Sequence, residues 1–172
     1  PIPNYAYKNN TNLTFSNQAQ NWGLDTPSFS NGAAYGDLDN DGDLDLVVNN
    51  VNMEAFVYKN NAEKNKQNHF VKVKLKGDQQ NKFAVGSTVE LFSGSEILRQ
   101  ELIPSRGFQS SIDYTMTFGI GNKKIDSLQV IWPNGKTQTI KKVTNNTTIQ
   151  LNILDAKSDF VVKNKVVKPL FS

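Results

Sequence analysis

Apolar residues in this chain cluster in short stretches, often at alternate positions, and each stretch ends in Gly, Asn or Pro. The clearest case is Phe70, Val71, Val73 and Leu75 set among Lys72, Lys74 and Lys76. A period of two puts one set of side chains on one face of a strand and the rest on the other. The same texture predicts strands at 83–92, 97–102, 114–118, 127–132, 137–140 and 147–153, punctuated by Gly77, Gly94, Gly107, Gly121 and Asn134-Gly135. No stretch carries a convincing amphipathic helical period. Strands at such spacing, without helices, predict an all-β chain ending in a sandwich or barrel-like domain.

The first third has a different organisation. Tyr5-Ala6-Tyr7-Lys8-Asn9-Asn10 recurs as Phe56-Val57-Tyr58-Lys59-Asn60-Asn61, an offset of 51 residues. Strand-rich repeats of about 40–50 residues are the signature of propeller blades. Between the copies the chain leads through Leu13-Thr14-Phe15 and Trp22-Gly23-Leu24, and strands are expected at 32–36 and 44–48. A closed propeller needs at least about four blades, so the expectation is a partial β-propeller of roughly one blade plus a spare strand. Residues 1–61 form this fragment, 62–68 (AEKNKQN) read as a polar linker, 69–153 form the second β domain, and 154–172 form a tail or added edge strands.

Between two of these strands lies Asp37-Leu38-Asp39-Asn40-Asp41-Gly42-Asp43-Leu44-Asp45, with five carboxylates in nine residues. Like charges this close repel unless something positive sits among them. Ca²⁺ takes about six to eight oxygen ligands, and D-x-D-x-D-G-x-x-D can supply them from a short loop. Asp37, Asp39 and Asp41 are expected to turn side-chain oxygens inward, Gly42 to permit the turn, Asp43 to offer its backbone carbonyl, and Asp45 to close the loop. An EF-hand needs Glu at position twelve, where this chain has Val48. An acidic hairpin turn without metal is the plainer alternative, but such a turn needs one Asp, not five.

Composition narrows the classes further. Net charge is +3 with 20% charged residues, and the basic stretch at Lys64–Lys76 alternates along a strand, so nucleic-acid binding is not indicated. Cysteine is absent, which removes disulfides and thiolate chemistry. Hydrophobic content of 37%, mean hydropathy of −0.50 and the lack of an eighteen-residue apolar run argue against a membrane span. The chain starts at Pro1, and the reading is that of a piece of a longer protein. Weak, open calcium sites suit calcium-rich surroundings outside the cell, so an extracellular or cell-surface location is expected.

Two motif sets resemble known families. Ser30-Asn31-Gly32-Ala33-Ala34-Tyr35-Gly36-Asp37 through Asn49 resembles the FG-GAP or VCBS repeat of integrin-like β-propellers. Gly86-Ser87-Thr88-Val89-Glu90-Leu91, Ser105-Arg106-Gly107-Phe108-Gln109-Ser110, Phe118-Gly119-Ile120-Gly121 and Ile131-Trp132-Pro133-Asn134-Gly135 resemble the ASPIC/UnbV domain. That domain is found at the C-terminal end of cartilage acidic protein-like chains. The resemblance implies a calcium-binding propeller that mediates adhesion or partner binding, packing here against further N-terminal blades. It hands over no catalytic residue.

Other candidates weigh less. His69 has no histidine or cysteine to join it. Ser105, Ser110 and Ser111 flank a Gly turn without a base nearby, and Glu90, Glu96 and Glu101 show no pairing of the kind a glycosidase needs. Trp22 is expected to pack between blades. Trp132 is expected in the core, although an exposed Trp before Pro-Asn-Gly would make a sugar-stacking platform. The expected function is therefore a non-catalytic, extracellular calcium-binding module for adhesion or protein partners, with no nucleic-acid partner. A glycan-binding accessory module of a polysaccharide-utilising surface system is the alternative.

Overall fold

The computed structural model describes residues 1–161. It is all-β, with 43% of residues in strands and 4% in helical turns. Chain contacts divide it into two units. The first comprises Pro1–Lys66 together with Pro104–Asp113, and the second comprises Gln67–Ile103 together with the chain from Tyr114 onward. The segment Pro104–Asp113, which the sequence pattern places inside the second domain, therefore groups with the first.

In the first unit β1 (Tyr7–Asn9) pairs antiparallel with β2 (Phe15–Asn17). A three-stranded antiparallel sheet follows: β3 (Ser30–Gly36), β4 (Asp45–Asn50) and β5 (Phe56–Tyr58), in that order across the sheet. β3 and β4 are the strands expected on either side of the acidic loop, and Gly36 pairs with Asp45 at the loop's base. The second copy of the repeat supplies β5, and the first copy supplies β1. Residues 21–23 form a turn, and Trp22, expected to pack between blades, is 53% exposed in this unit.

The second unit has two sheets. One is five-stranded, in the order β13 (Ser158–Asp159), β11 (Lys136–Lys141), β10 (Ser127–Ile131), β7 (Thr88–Ser93) and β8 (Glu96–Glu101). The other is three-stranded, with β6 (Phe70–Lys76) between β12 (Thr147–Asn152) and β9 (Thr115–Gly119). β12 runs parallel to β6, and all other pairs in the unit are antiparallel. Alternation decides which side chains go inward: Val71 and Val73, Val89 and Leu91, Leu128 and Val130 are all fully buried in one cluster. Trp132 joins that cluster at 2% exposure. The sheets form no closed barrel among the described residues, so of the two expected forms the sandwich-like one is found.

Two local differences from the sequence pattern fall at residues 83–87 and 62–64. The expected strand at 83–92 begins only at Thr88. Before it, Ala84 holds φ +54° and Gly86 φ +87°, left-handed conformations that break a strand. Residues 62–64 of the expected linker form a 3-10 turn, Ala62–Lys64. At the C-terminal end Ser158–Asp159 adds an edge strand to β11, while the Val162 and Val166-Val167 part of the expected tail lies outside the described residues.

Candidate metal centre

The acidic loop connects β3 to β4 and is folded by its own carboxylates. Asp37 Oδ2 accepts the Gly42 N–H at 2.9 Å, Asp39 Oδ1 the Asp41 N–H at 3.4 Å, and Asp41 Oδ1 the Asp43 N–H at 3.2 Å. Each bond spans a few residues and curls the chain around a centre, as Asp side chains do in turns. Gly42 sits at φ +103°, where a Cβ would be strained, and Asn40 at φ +62°, the region Asn tolerates best after Gly. Spacing and turn chemistry thus agree.

The carboxylates fall into two trios that share Asp41. Oxygens of Asp37, Asp39 and Asp41 lie within 4.8 Å of one another, and so do oxygens of Asp41, Asp43 and Glu63. The second trio contains a residue outside the loop. Glu63 stands on the 3-10 turn after β5, and its backbone N–H donates to Asp43 Oδ2 at 3.2 Å. Sequence reasoning missed it, because a lone Glu in a polar run has no spacing relation to the loop. The contact is made by the hairpin β4–β5, which returns the chain to the loop's side.

Asp45 is placed differently from the other four. It is buried at 3% exposure. Its Oδ2 accepts the Leu38 N–H at 3.0 Å and its Oδ1 accepts the Asn60 N–H at 2.9 Å. Asp45 thereby clips the loop's start to the strand exit at Asn60, and its oxygens are not among those of the two trios. Asp43, expected to contribute its backbone carbonyl, contributes a carboxylate to the second trio.

Charge is compensated on one side. Lys59 Nζ binds Asp39 Oδ2 and lies 3.3 Å from Asp41 Oδ2. The Asp39 contact is the main reason that the Asp39 carboxyl sits below its usual range and the Lys59 ammonium above its own. On the other side burial raises the Asp43 carboxyl, the nearby Asp41 and Glu63 carboxylates push the same way, and the backbone donors of Glu63 and Ala62 oppose them. Asp43 Oδ1 and Glu63 Oε2 are buried and accept no hydrogen bond. Unit charges about 5 Å apart repel by roughly 3 kcal/mol at an effective dielectric of about 20, more than the ~1 kcal/mol a hydrogen bond returns. An all-oxygen donor set with buried oxygens that lack partners fits a hard divalent cation such as Ca²⁺ and offers nothing to a soft one.

The remaining candidates are accounted for by ordinary contacts. His69 Nδ1 lies 3.1 Å from Asn146 Nδ2. Glu90 pairs with Arg99 at 3.4 Å and Glu96 with Lys123 at 3.0 Å. Ser110 Oγ donates to the Phe108 carbonyl, and Ser105 bridges to Ser111, within the turn that carries Gly107. Arg106 Nε donates to Tyr35 Oη at 2.9 Å, inside the first unit. With Trp132 buried, no sugar-stacking platform exists at that position.

Two family models match the chain. The model for the FG-GAP-like repeat matches residues 3–48, which include β1, β2, β3, the whole acidic loop and β4 as far as Val48. The model for ASPIC and UnbV matches residues 77–158, from the turn before β7 to β13. No curated protein matches the chain. Blade-like sheet with an acidic loop first, sandwich-like domain second: the chain is an FG-GAP-like repeat followed by an ASPIC and UnbV domain.

Proposed function

We propose that this protein is an extracellular calcium-binding module that presents a β-rich surface to protein partners, and that it carries out no catalysis. The observation that carries this reading is the convergence of carboxylate oxygens from Asp37, Asp39, Asp41 and Asp43, with a buried oxygen of Asp43 that accepts no hydrogen bond. FG-GAP repeats commonly bind calcium and are typical of extracellular proteins, which supports both the metal and the location. Among the described residues no helix is long and apolar enough to cross a membrane.

Calcium acts structurally in this reading. It neutralises the loop, fixes the turn between β3 and β4, and holds the blade's edge in one conformation. A partner surface is available in the same unit, where Tyr35, Tyr58, Leu46, Arg106 and Phe108 line a groove of about 570 Å³. Tyr and Arg in a concave apolar setting are the residue types that carry binding energy at interfaces. The exposed apolar side chains of this unit, Phe15 and Val57 among them, suit burial against neighbouring blades of a propeller. A glycan ligand is the less favoured alternative, since its aromatic platform at Trp132 lies in the core.

The test is calcium titration by calorimetry with parallel melting curves. A cation that binds only the folded state adds RT ln(1 + [L]/Kd), about 2.7 kcal/mol at a hundredfold excess over Kd. That raises the melting temperature by on the order of 10 °C. Asp41→Asn, which touches both trios, should abolish the heat of binding and the shift together. Identical melting curves in calcium and in EDTA would sink the proposal.

A further inference from the structure

Strand register builds one apolar face on the three-stranded sheet. Ala33 lies opposite Val48, Tyr35 opposite Leu46, and Leu46 opposite Tyr58. Directly paired residues share a face, so these five side chains form the floor of a groove of about 570 Å³. The turn at 105–111 supplies a wall. It is closed on itself: Arg106 N–H donates to the Ser110 carbonyl at 2.8 Å, and Ser110 Oγ to the Phe108 carbonyl at 2.8 Å. It is also seated on β3, since a Cβ added at Gly32 would stand 2.7 Å from Ser110 Oγ. That seat sets the Arg106 guanidinium 5.6 Å from the centre of the Tyr35 ring, with Nε donating to Tyr35 Oη at 2.9 Å. Phe108, on the same turn, is exposed at the groove's rim. All the lining residues belong to the first unit.

The chemistry of this lining is lopsided. Among the described residues that line the groove, Arg106 alone carries a charge, set among apolar and aromatic side chains. The polar lining groups are engaged inside the protein. Asn4 Nδ2 donates to Ser30 Oγ at 3.0 Å, Ser30 Oγ to Asn50 Oδ1 at 2.9 Å, and Asn49 Nδ2 to Asn31 Oδ1 at 2.8 Å. A saccharide, with a hydroxyl to satisfy on most of its carbons, finds few partners in such a groove. An apolar side chain joined to a carboxylate finds both of its requirements, because guanidinium and carboxylate make strong, often bidentate hydrogen bonds. From these placements we infer that the groove takes an acidic peptide segment of a partner protein. Its carboxylate pairs with Arg106, and a neighbouring Leu, Ile or Phe side chain rests over Leu46, between Tyr35 and Tyr58. This rests on the partner-binding reading above and names the chemistry of the partner. It also gives the 105–111 turn a task, since that turn carries the groove's charge.

The experiment selects a phage-displayed library of random heptapeptides on the immobilised 172-residue chain in calcium-containing buffer. Wild type is compared with Arg106→Gln. The control is Arg99→Gln, the same charge change on β8 of the second unit, and far-UV circular dichroism confirms that each variant folds. Wild type and Arg99→Gln should enrich heptapeptides that carry Asp or Glu beside Leu, Ile or Phe. Synthesised free, these peptides should bind Arg106→Gln at least about tenfold more weakly than wild type, which is ~1.4 kcal/mol. Enriched peptides without an acidic residue, or peptides that Arg106→Gln binds as tightly, overturn this inference and leave the partner reading standing. No enrichment over a bare surface removes both. Uronate oligosaccharides that bind wild type and compete with the peptides overturn it in favour of an acidic sugar, and a dimer in sedimentation that excludes the peptides overturns it in favour of a second copy of the chain. Should Arg106→Gln fail to fold, amide shifts of the wild type on adding an enriched peptide replace it: shifts at 32–35, 46–48 and 105–108 support the inference, and shifts confined elsewhere overturn it.

Discussion

The two units bury their apolar residues to very different degrees. In the second, a single cluster running from Val71 to Ile153 takes in both sheets, with Val71, Val73, Val89, Leu91, Leu128 and Val130 fully removed from solvent. In the first, Ala19 and Val48 are the buried apolar residues among those described, while Leu13 is 98%, Val57 66% and Phe15 63% exposed. What orders the first unit is polar. Asn4, Ser28, Ser30 and Asn50 form a chain of side-chain hydrogen bonds, and Asp45 and Asn60 clip strand ends together. Fully burying a Val or Leu is worth about 1.5–3 kcal/mol, whereas an exchanged hydrogen bond nets about 1. The second unit therefore carries its stability in its own core, and the first has little core of its own among the described residues. This gives the acidic loop its significance: an ion bound there would be one of the few ways a thinly cored sheet gains several kcal/mol at a single place.

The contrast can be probed by substitution. The largest effect is expected in the second unit: Leu128→Ala leaves a cavity among residues that cannot close it and should cost about 2–5 kcal/mol in denaturant unfolding. Removing calcium comes next. EDTA should lower the melting of the first unit by the ~2.7 kcal/mol equivalent at saturating ion while the second unit's transition stays where it was, resolved by tryptophan fluorescence of Trp22 against Trp132. Gly32→Ala is a smaller perturbation. An added Cβ would stand 2.7 Å from Ser110 Oγ and 3.1 Å from the Phe108 carbonyl, so displacing that segment should cost about 1–3 kcal/mol in the first unit. Smallest is Val57→Ser, on an exposed position of β5, expected within about 0.5 kcal/mol of wild type. A Val57→Ser cost equal to that of Leu128→Ala would mean that the first unit has a core after all.

Much of this arrangement could be read from the chain. The alternating stretches became β6 to β12 with shifts of a few residues, because period-two patterning and Gly or Asn-Gly punctuation act locally. The repeat at Tyr5 and Phe56 marked β1 and β5. Asp37, Asp39 and Asp41 converge as their spacing requires, since a short loop closed by its own side-chain hydrogen bonds fixes its own geometry. Residues 83–87 failed the pattern, because two left-handed residues outweigh apolar content.

The candidate site was legible only in its loop. Glu63 sat in a run that reads as linker, and Lys59 in a repeat that reads as strand; neither has any sequence relation to Asp41 or Asp43. Asp45 looked like the others of its kind until its neighbours were known. The grouping of Pro104–Asp113 with the first unit was equally hidden.

The amino-acid order alone determined the strands, the turn chemistry and the presence of an oxygen-rich loop, because each depends on residues a few positions apart. Tertiary structure decided which carboxylates face one another and which one clips distant backbone amides, and it alone brought Lys59 and Glu63 to the loop. The reason is that electrostatics acts through space: a charge contributes to a site according to its distance in ångströms, and β-hairpins make that distance short for residues twenty apart in the chain.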